Sequence, residues 1–191
     1  FAFWGKAQVR NEIRVPDPEG YRTLKCDFHI HTVFSDGLVW PTVRVDEAYR
    51  EGLDAIALTE HLEYRPHRQD IIASHNRSYE IAEKTARNNQ VILIRGSEIT
   101  RPMAPGHFNA IFLNDCDALE LPMIGTSDIH QPIQTDIDFA RGQHRTMTFV
   151  FVRERSAEGI REALLHRRTA VYMDEKVIAE EQWLKELFEK S

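Results

Sequence analysis

Short apolar runs that do not alternate with polar residues recur along the chain. The stretches between them carry apolar residues three or four positions apart. LKCDFHI (24–30), LDAIALTE (53–60), VILIRGSEI (91–99), HFNAIFL (107–113) and TMTFVFV (146–152) read as strands. Their lack of alternation marks strands buried on both faces. TVRVDEAYREG (42–52) sets Val43, Val45, Ala48 and Tyr49 on a helical period that Gly52 ends. Residues 70–89 place Ile71, Ile72, Tyr79, Ile81, Ala82 and Ala86 on one side of a second helix. LPMIGTSDIH (121–130) supplies another strand. A helix at 156–167 behind Ser156, a strand at 169–173 and an amphipathic helix near 180–189 follow. Strands alternating with helices predict an α/β fold with parallel strands. Residues 1–23, with Pro16, Pro18 and Gly20, are expected to form an N-terminal arm, and 24–191 a single domain.

Composition changes this picture little. A length of 191 residues, with 42% hydrophobic and 28% charged, suits one domain with a real core. The net charge of −6 and the absence of a basic stripe argue against an extended nucleic-acid surface. A compact site could still take a phosphorylated ligand, because bound cations reverse the local sign. No apolar run approaches the roughly 18 residues of a membrane-spanning helix, so no membrane partner is expected. Cys26 and Cys116 stand far apart with no CxxC, and two buried thiols are a better reading than a disulfide.

The ionisable residues change it more. His29 and His31 end the first strand, with Asp36 five residues beyond. His61 ends the second strand, Glu98 the third, and His107 opens the fourth. Asp128 and His130 end a later one. Taken singly, a His-x-His pair is more often two ordinary side chains, and an acid after a strand is usually a cap or turn former. Here five of nine histidines and three acids recur at one topological position, the end of a strand where barrel enzymes build their sites. Gathering so many charges without a cation would be costly, so a metal cluster is expected. Imidazole and carboxylate without thiolate suit zinc, manganese or iron. Eight ligands exceed the need of one ion, which implies two or three. His67, His75, His144 and His166 are left to solvent or local bonding.

At these residues the chain resembles the PHP family, named for polymerase and histidinol phosphatase domains. DFHIHTVFSDG, AIALTEH, RGSEIT, GHFNAIFL and GTSDIH carry the resemblance over residues 26–130, and IREALLHRRTAVY (160–172) resembles the family's closing helix and strand. The nearest subgroup is the stand-alone bacterial metal-dependent phosphoesterases. The resemblance implies a distorted (β/α)7 TIM-like barrel holding up to three divalent ions. Carried over by position, His29, His31, Glu98 and Asp128 would hold one ion and Asp36, His61 and His130 another. Glu98 would bridge to a third ion bound by His107. One further family histidine has no counterpart among residues 108–127, and βα units expected between 113 and 121 are missing. A (β/α)8 barrel takes about 250 residues, so the barrel is expected to be incomplete and the third ion is the vulnerable one.

The function implied is hydrolysis of a phosphoester in a small phosphorylated metabolite or nucleotide by a metal-activated hydroxide. Asp128 and Glu98 would orient the nucleophile as well as ligate. Arg65 and Arg101, just beyond ligand-bearing strand ends, are candidates to meet the phosphate charge. Two alternatives stand beside this: a non-catalytic, metal-stabilised PHP module, and a metal-dependent amidohydrolase. The chain begins at Phe1 rather than Met, so removal of an N-terminal segment is expected. The compartment stays open between bacterial cytoplasm and, if that segment was a signal peptide, periplasm or export. Which phosphoester is cut and how many copies assemble have no readable code.

Overall fold

A computed structural model describes residues 9–62, 64–71, 74, 76–100, 107–112, 124, 126–138, 141, 143–173 and 175–189. Strand β1 (Arg22–Ile30) leads through helix α1 (Pro41–Glu51) to β2 (Ala55–Leu58), and α2 (Arg77–Asn89) leads on to β3 (Ile92–Thr100). These three strands pair in parallel, β1 with β2 and β2 with β3. Pro41 opens α1, where its missing N–H costs nothing, and Gly52 closes it in the left-handed region at φ 89°. A side chain at Gly52 would also collide with the arm, since its Cβ would lie 2.4 Å from the Asn11 carbonyl oxygen.

The remaining pairings are antiparallel. β4 (His107–Ile111) is antiparallel to β3, and β5 (Met147–Val152) is antiparallel to β1. After the one-turn α3 (Ile133–Asp136) and the later α4 (Ala157–Leu165), β6 (Thr169–Met173) and β7 (Lys176–Ala179) add successive antiparallel pairs. β4, β5 and β7 thus run against β1, while β6 runs with it. Helix α5 (Glu181–Glu189) follows. The sheet order is β4-β3-β2-β1-β5-β6-β7.

The α/β class read from the sequence holds, whereas the distorted (β/α)7 TIM-like barrel does not describe these residues: among them the sheet is open, with β4 and β7 at its edges. Connection length supplies a physical reason. Only residues 101–106 separate β3 from β4, and a parallel return needs a crossover of a dozen or more. β7 is a strand that the pattern reading omits, and α2 starts at Arg77 rather than at 70. Of the strand expected over 121–130, Ile129 makes an isolated parallel bridge to Ile30, while 121–123 and 125 lie outside the described residues.

Helices cover both faces. On one, Val45 and Ala48 of α1, Ala82 and Ala86 of α2, and Trp183 and Leu187 of α5 pack with Ile56, Leu58 and Phe151. On the other, Ile160, Ala163 and Leu164 of α4 pack with Leu24, Cys26, Phe28, Val150 and Val152. Cys26 is a free, buried thiol, and burial pushes its pKa up; Cys116 lies outside the described residues. Described arm residues are pinned at the far end of the sheet. Arg10 donates to the Gly52 and Leu53 carbonyls at 2.9 and 2.8 Å and pairs with Asp54 at 2.9 Å.

Candidate metal centre

The carboxyl ends of the three parallel strands lie side by side, and the candidate ligands project from there. The β1–β2 register shifts between Asp27 and Ile30. Such irregularities re-aim side chains beside active sites. Leu24, Cys26 and Phe28 face the α4 side, whereas Ile30 joins the opposite core. His29 and His31 flank that residue. Beyond β2, the Glu98 N–H donates to the Glu60 carbonyl and the Leu62 N–H to the Glu98 carbonyl, each at 3.0 Å, so His61 sits beside Glu98. The segment 126–130 takes the open edge at the end of β1, with the His31 N–H on the Ile129 carbonyl at 3.3 Å. Gly37 lets the loop after β1 fold back, since a Cβ there would lie 2.6 Å from the His31 carbonyl.

Seven of the expected side chains meet in two groups that share His31. One is His29, His31, Glu98 and Asp128; the other is His31, Asp36, His61 and His130. Within each, one ligand atom per residue lies within 4.8 Å of the others. In the first, His29 Nε2 is 2.9 Å from Glu98 and 3.1 Å from Asp128, and His31 Nε2 is 3.0 and 3.2 Å from the same carboxylates. In the second, Asp36 lies 3.3 Å from both His61 Nε2 and His130 Nε2. Asp128 holds a left-handed backbone at φ 51°, which an aspartate tolerates better than most residues. His107 opens β4 opposite Thr100, but its side chain is outside the described residues. Arg65 donates through Nε to the His61 carbonyl at 3.4 Å, and Arg101 lies outside the described residues.

Several groups that the sequence reading omits orient these ligands. His31 Nδ1 is 3.2 Å from Ser35 Oγ, whose hydroxyl donates to Glu60 at 2.6 Å. Glu60 also accepts from the Thr32 N–H at 3.1 Å and the Thr32 hydroxyl at 2.6 Å. This chain places the proton on Nδ1 and turns the Nε2 lone pair inward. His130 is set alike, its Nδ1 donating to the Asp128 carbonyl at 2.8 Å. Arg44, fully buried in α1, donates to the carbonyls of His31, Ile129, His130 and Gln131 at 2.8–3.1 Å and pairs with Glu47 at 2.9 Å. Asp27 accepts from Ser127 N–H and Oγ and from Arg145, which forks onto Glu51 at 2.6 and 2.7 Å. That guanidinium is buried too, yet the two carboxylates hold its pKa above even an ordinary arginine.

The electrostatics suit a cation. Burial opposes protonation of His31, but the adjacent Asp128 carboxylate and the fields of Glu60 and Asp36 outweigh it and lift its pKa. Burial and then the His31 charge depress His61. Burial would raise Asp128, but the adjoining His31 ring and the charge on His29 hold it below the usual carboxylate range. Two buried atoms, His31 Nε2 and Asp36 Oδ1, lack a hydrogen-bond partner and both point into the groups just described. Donor type and these orphaned atoms fit divalent ions of the zinc, manganese or iron kind. Fold and site together define an α/β domain with a histidine–carboxylate centre of the sort that holds such ions.

No family profile matches the chain, and no curated protein resembles it in sequence. Among solved structures it is similar to a two-domain protein from Bacteroides vulgatus containing a predicted PHP-like metal-dependent phosphoesterase. The two are 49% identical with a TM-score of 0.92, over 97% of this chain and 75% of that one. Looser overlaps link it to a candidate metal-dependent phosphoesterase from Bifidobacterium adolescentis (26% identity, TM-score 0.35, 45% of this chain and 26% of that one). Another links it to an amidohydrolase from Chromobacterium violaceum (21%, 0.34, 44% and 25%). The first match, close over nearly the whole length, shows that this chain belongs to the PHP family.

Proposed function

We propose that the chain is a divalent-metal-dependent phosphoesterase acting on a small phosphorylated compound. The observation that carries this reading is the pair of ligand groups joined at His31, with inward-facing atoms that have no hydrogen-bond partner. His29, His31, Glu98 and Asp128 would hold one ion, and Asp36, His61 and His130 a second. The third ion expected at Glu98 and His107 rests on a side chain outside the described residues. Two divalent ions would offset the charge of Asp36, Glu98, Asp128 and the buried Glu60. When bound, such ions supply Lewis acidity toward a phosphoryl oxygen and toward water.

This chain's own residues do the rest. Ser35 and Glu60 fix the His31 tautomer, the Asp128 carbonyl fixes His130, and Arg44 holds the two ligand-bearing loops at one separation. Asp128, with 57% of its side chain exposed, is the ligand turned most toward solvent and would orient an attacking water with Glu98 behind it. Arg65, carried just past His61, would meet phosphate oxygens. The test is turnover of a phosphomonoester panel by the Mn²⁺-loaded chain. Hydrolysis abolished by chelation, and a loss of at least about 100-fold in His29→Ala/His31→Ala together with lost metal equivalents, is expected. Metal and turnover retained in that variant would overturn the reading.

A further inference from the structure

Beside Asp128 lies a cavity of about 550 Å³ whose walls include Ile137, Gln143, His144, Arg145, Tyr172 and Glu175. Its position follows from the sheet. β5 starts opposite the middle of β1, so residues 143–146 run alongside the carboxyl half of that strand and the 127–129 segment. Met147 pairs with Tyr172, so β6 finishes at the same end. The cavity therefore opens on the ligand-bearing end and extends from Asp128 toward the β6–β7 turn.

The lining chemistry is selective. Arg145 reaches this wall but has its charge balanced by Asp27 and Glu51 and three of its donor nitrogens engaged with them. Glu175, in the β6–β7 turn, brings an acid to the lining. Gln143 spends its side-chain oxygen on the Asp138 N–H at 3.0 Å, which leaves amide hydrogens to donate. Tyr172 adds a hydroxyl and an aromatic face. Uncommitted hydrogen-bonding groups are therefore present, whereas the arginine in the wall is already neutralised and an acid shares the lining. A second phosphate would meet repulsion here; hydroxyl groups would not.

We infer that this cavity receives the organic half of the substrate, and that it takes a hydroxylated group carrying no further phosphate, a sugar or the sugar of a nucleoside. The inference rests on the phosphoesterase reading above and deepens it. In the reaction a water oxygen joins phosphorus, the ester P–O bond breaks, and the alcohol leaves with a proton from that water. The alcohol is the part the cavity holds.

The experiment compares a fructose phosphorylated on its terminal carbon with the same sugar phosphorylated at both ends, using the full chain loaded with Mn²⁺. A preference of about tenfold in kcat/KM for the singly phosphorylated sugar is expected. Glu175→Arg is expected to narrow that preference, chiefly by improving the doubly phosphorylated sugar. Equal or better use of the doubly phosphorylated sugar by the native chain would overturn the inference, as would an unchanged ratio in Glu175→Arg. If neither sugar nor p-nitrophenyl phosphate turns over, the phosphoesterase reading fails instead. The two sugars are then compared by calorimetric binding to the Mn²⁺-loaded chain. Tighter binding of the singly phosphorylated one by about tenfold would sustain the cavity's assignment, and equal binding or none would end it.

Discussion

His31 shows how much a single side chain is asked to do. It is fully buried, stands in both ligand groups, and keeps a proton on Nδ1 through Ser35 and Glu60. Without metal, neighbouring carboxylates raise its pKa. A group with a raised folded pKa stabilises fully below its unfolded value, about 6.5 for histidine, and that contribution fades as pH rises through the folded value. Metal must displace the titrating proton at Nε2, so the sign for binding is opposite. We expect the chelated chain to lose thermal stability as pH rises above about 6.5 while Mn²⁺ affinity grows in the same direction. Both slopes should shrink in His31→Gln, and calorimetry across the series checks it; an unchanged slope in the variant would refute the assignment. The candidate ligands were legible in sequence because each falls at or near the end of a run that reads as a strand. Glu60 was not: it stands beside His61 in a motif where only one residue looked chemical, and its partners Thr32 and Ser35 come from another element.

At the scale of elements, the sequence carried the positions of strands better than their directions. A run such as MTFVFV is buried along its whole length and reads the same in a parallel or antiparallel sheet. Direction was recoverable only from the short 101–106 connection, which leaves no room for a crossover helix. β7 escaped because four residues of half-exposed KVIA resemble the approach to a helix. Turn signals were more faithful, and Gly52 illustrates why. Its φ of 89° and the arm crossing within 2.4 Å of a would-be Cβ make it a helix stop and a docking point together. Gly52→Ala should therefore cost more than about 1 kcal/mol in urea unfolding, from strain alone. A smaller loss would mean the arm gives way without penalty.

Across the whole molecule, ligands a hundred residues apart in sequence are held together by buried ions rather than by one continuous strand. Arg145 joins Asp27 of β1, Glu51 of α1 and, through Asp27, the Ser127 that precedes Asp128. These residues read as ordinary surface charges in a linear pattern, since only tertiary packing buries them. Arg145→Met would leave two buried carboxylates, Asp27 and Glu51, without their shared cation. A loss of about 3–5 kcal/mol in chemical unfolding is expected, with weaker Mn²⁺ binding. A near-neutral effect would show that the network is incidental to the centre.

The proton on His31 Nδ1 has a consequence for the symmetry of that centre. A neutral imidazole offers one lone pair, and Ser35 with Glu60 spends the other nitrogen on a hydrogen bond. His31 can then complete only the group with His29, Glu98 and Asp128, giving it four side-chain donors. The group at His61 keeps three: Asp36, His61 and His130. Two ions seated here would be unequal partners, one with four side-chain donors and one with three. Stepwise chelation should remove them in two phases, the three-donor ion first; loss in a single phase would mean that His31 serves both equally.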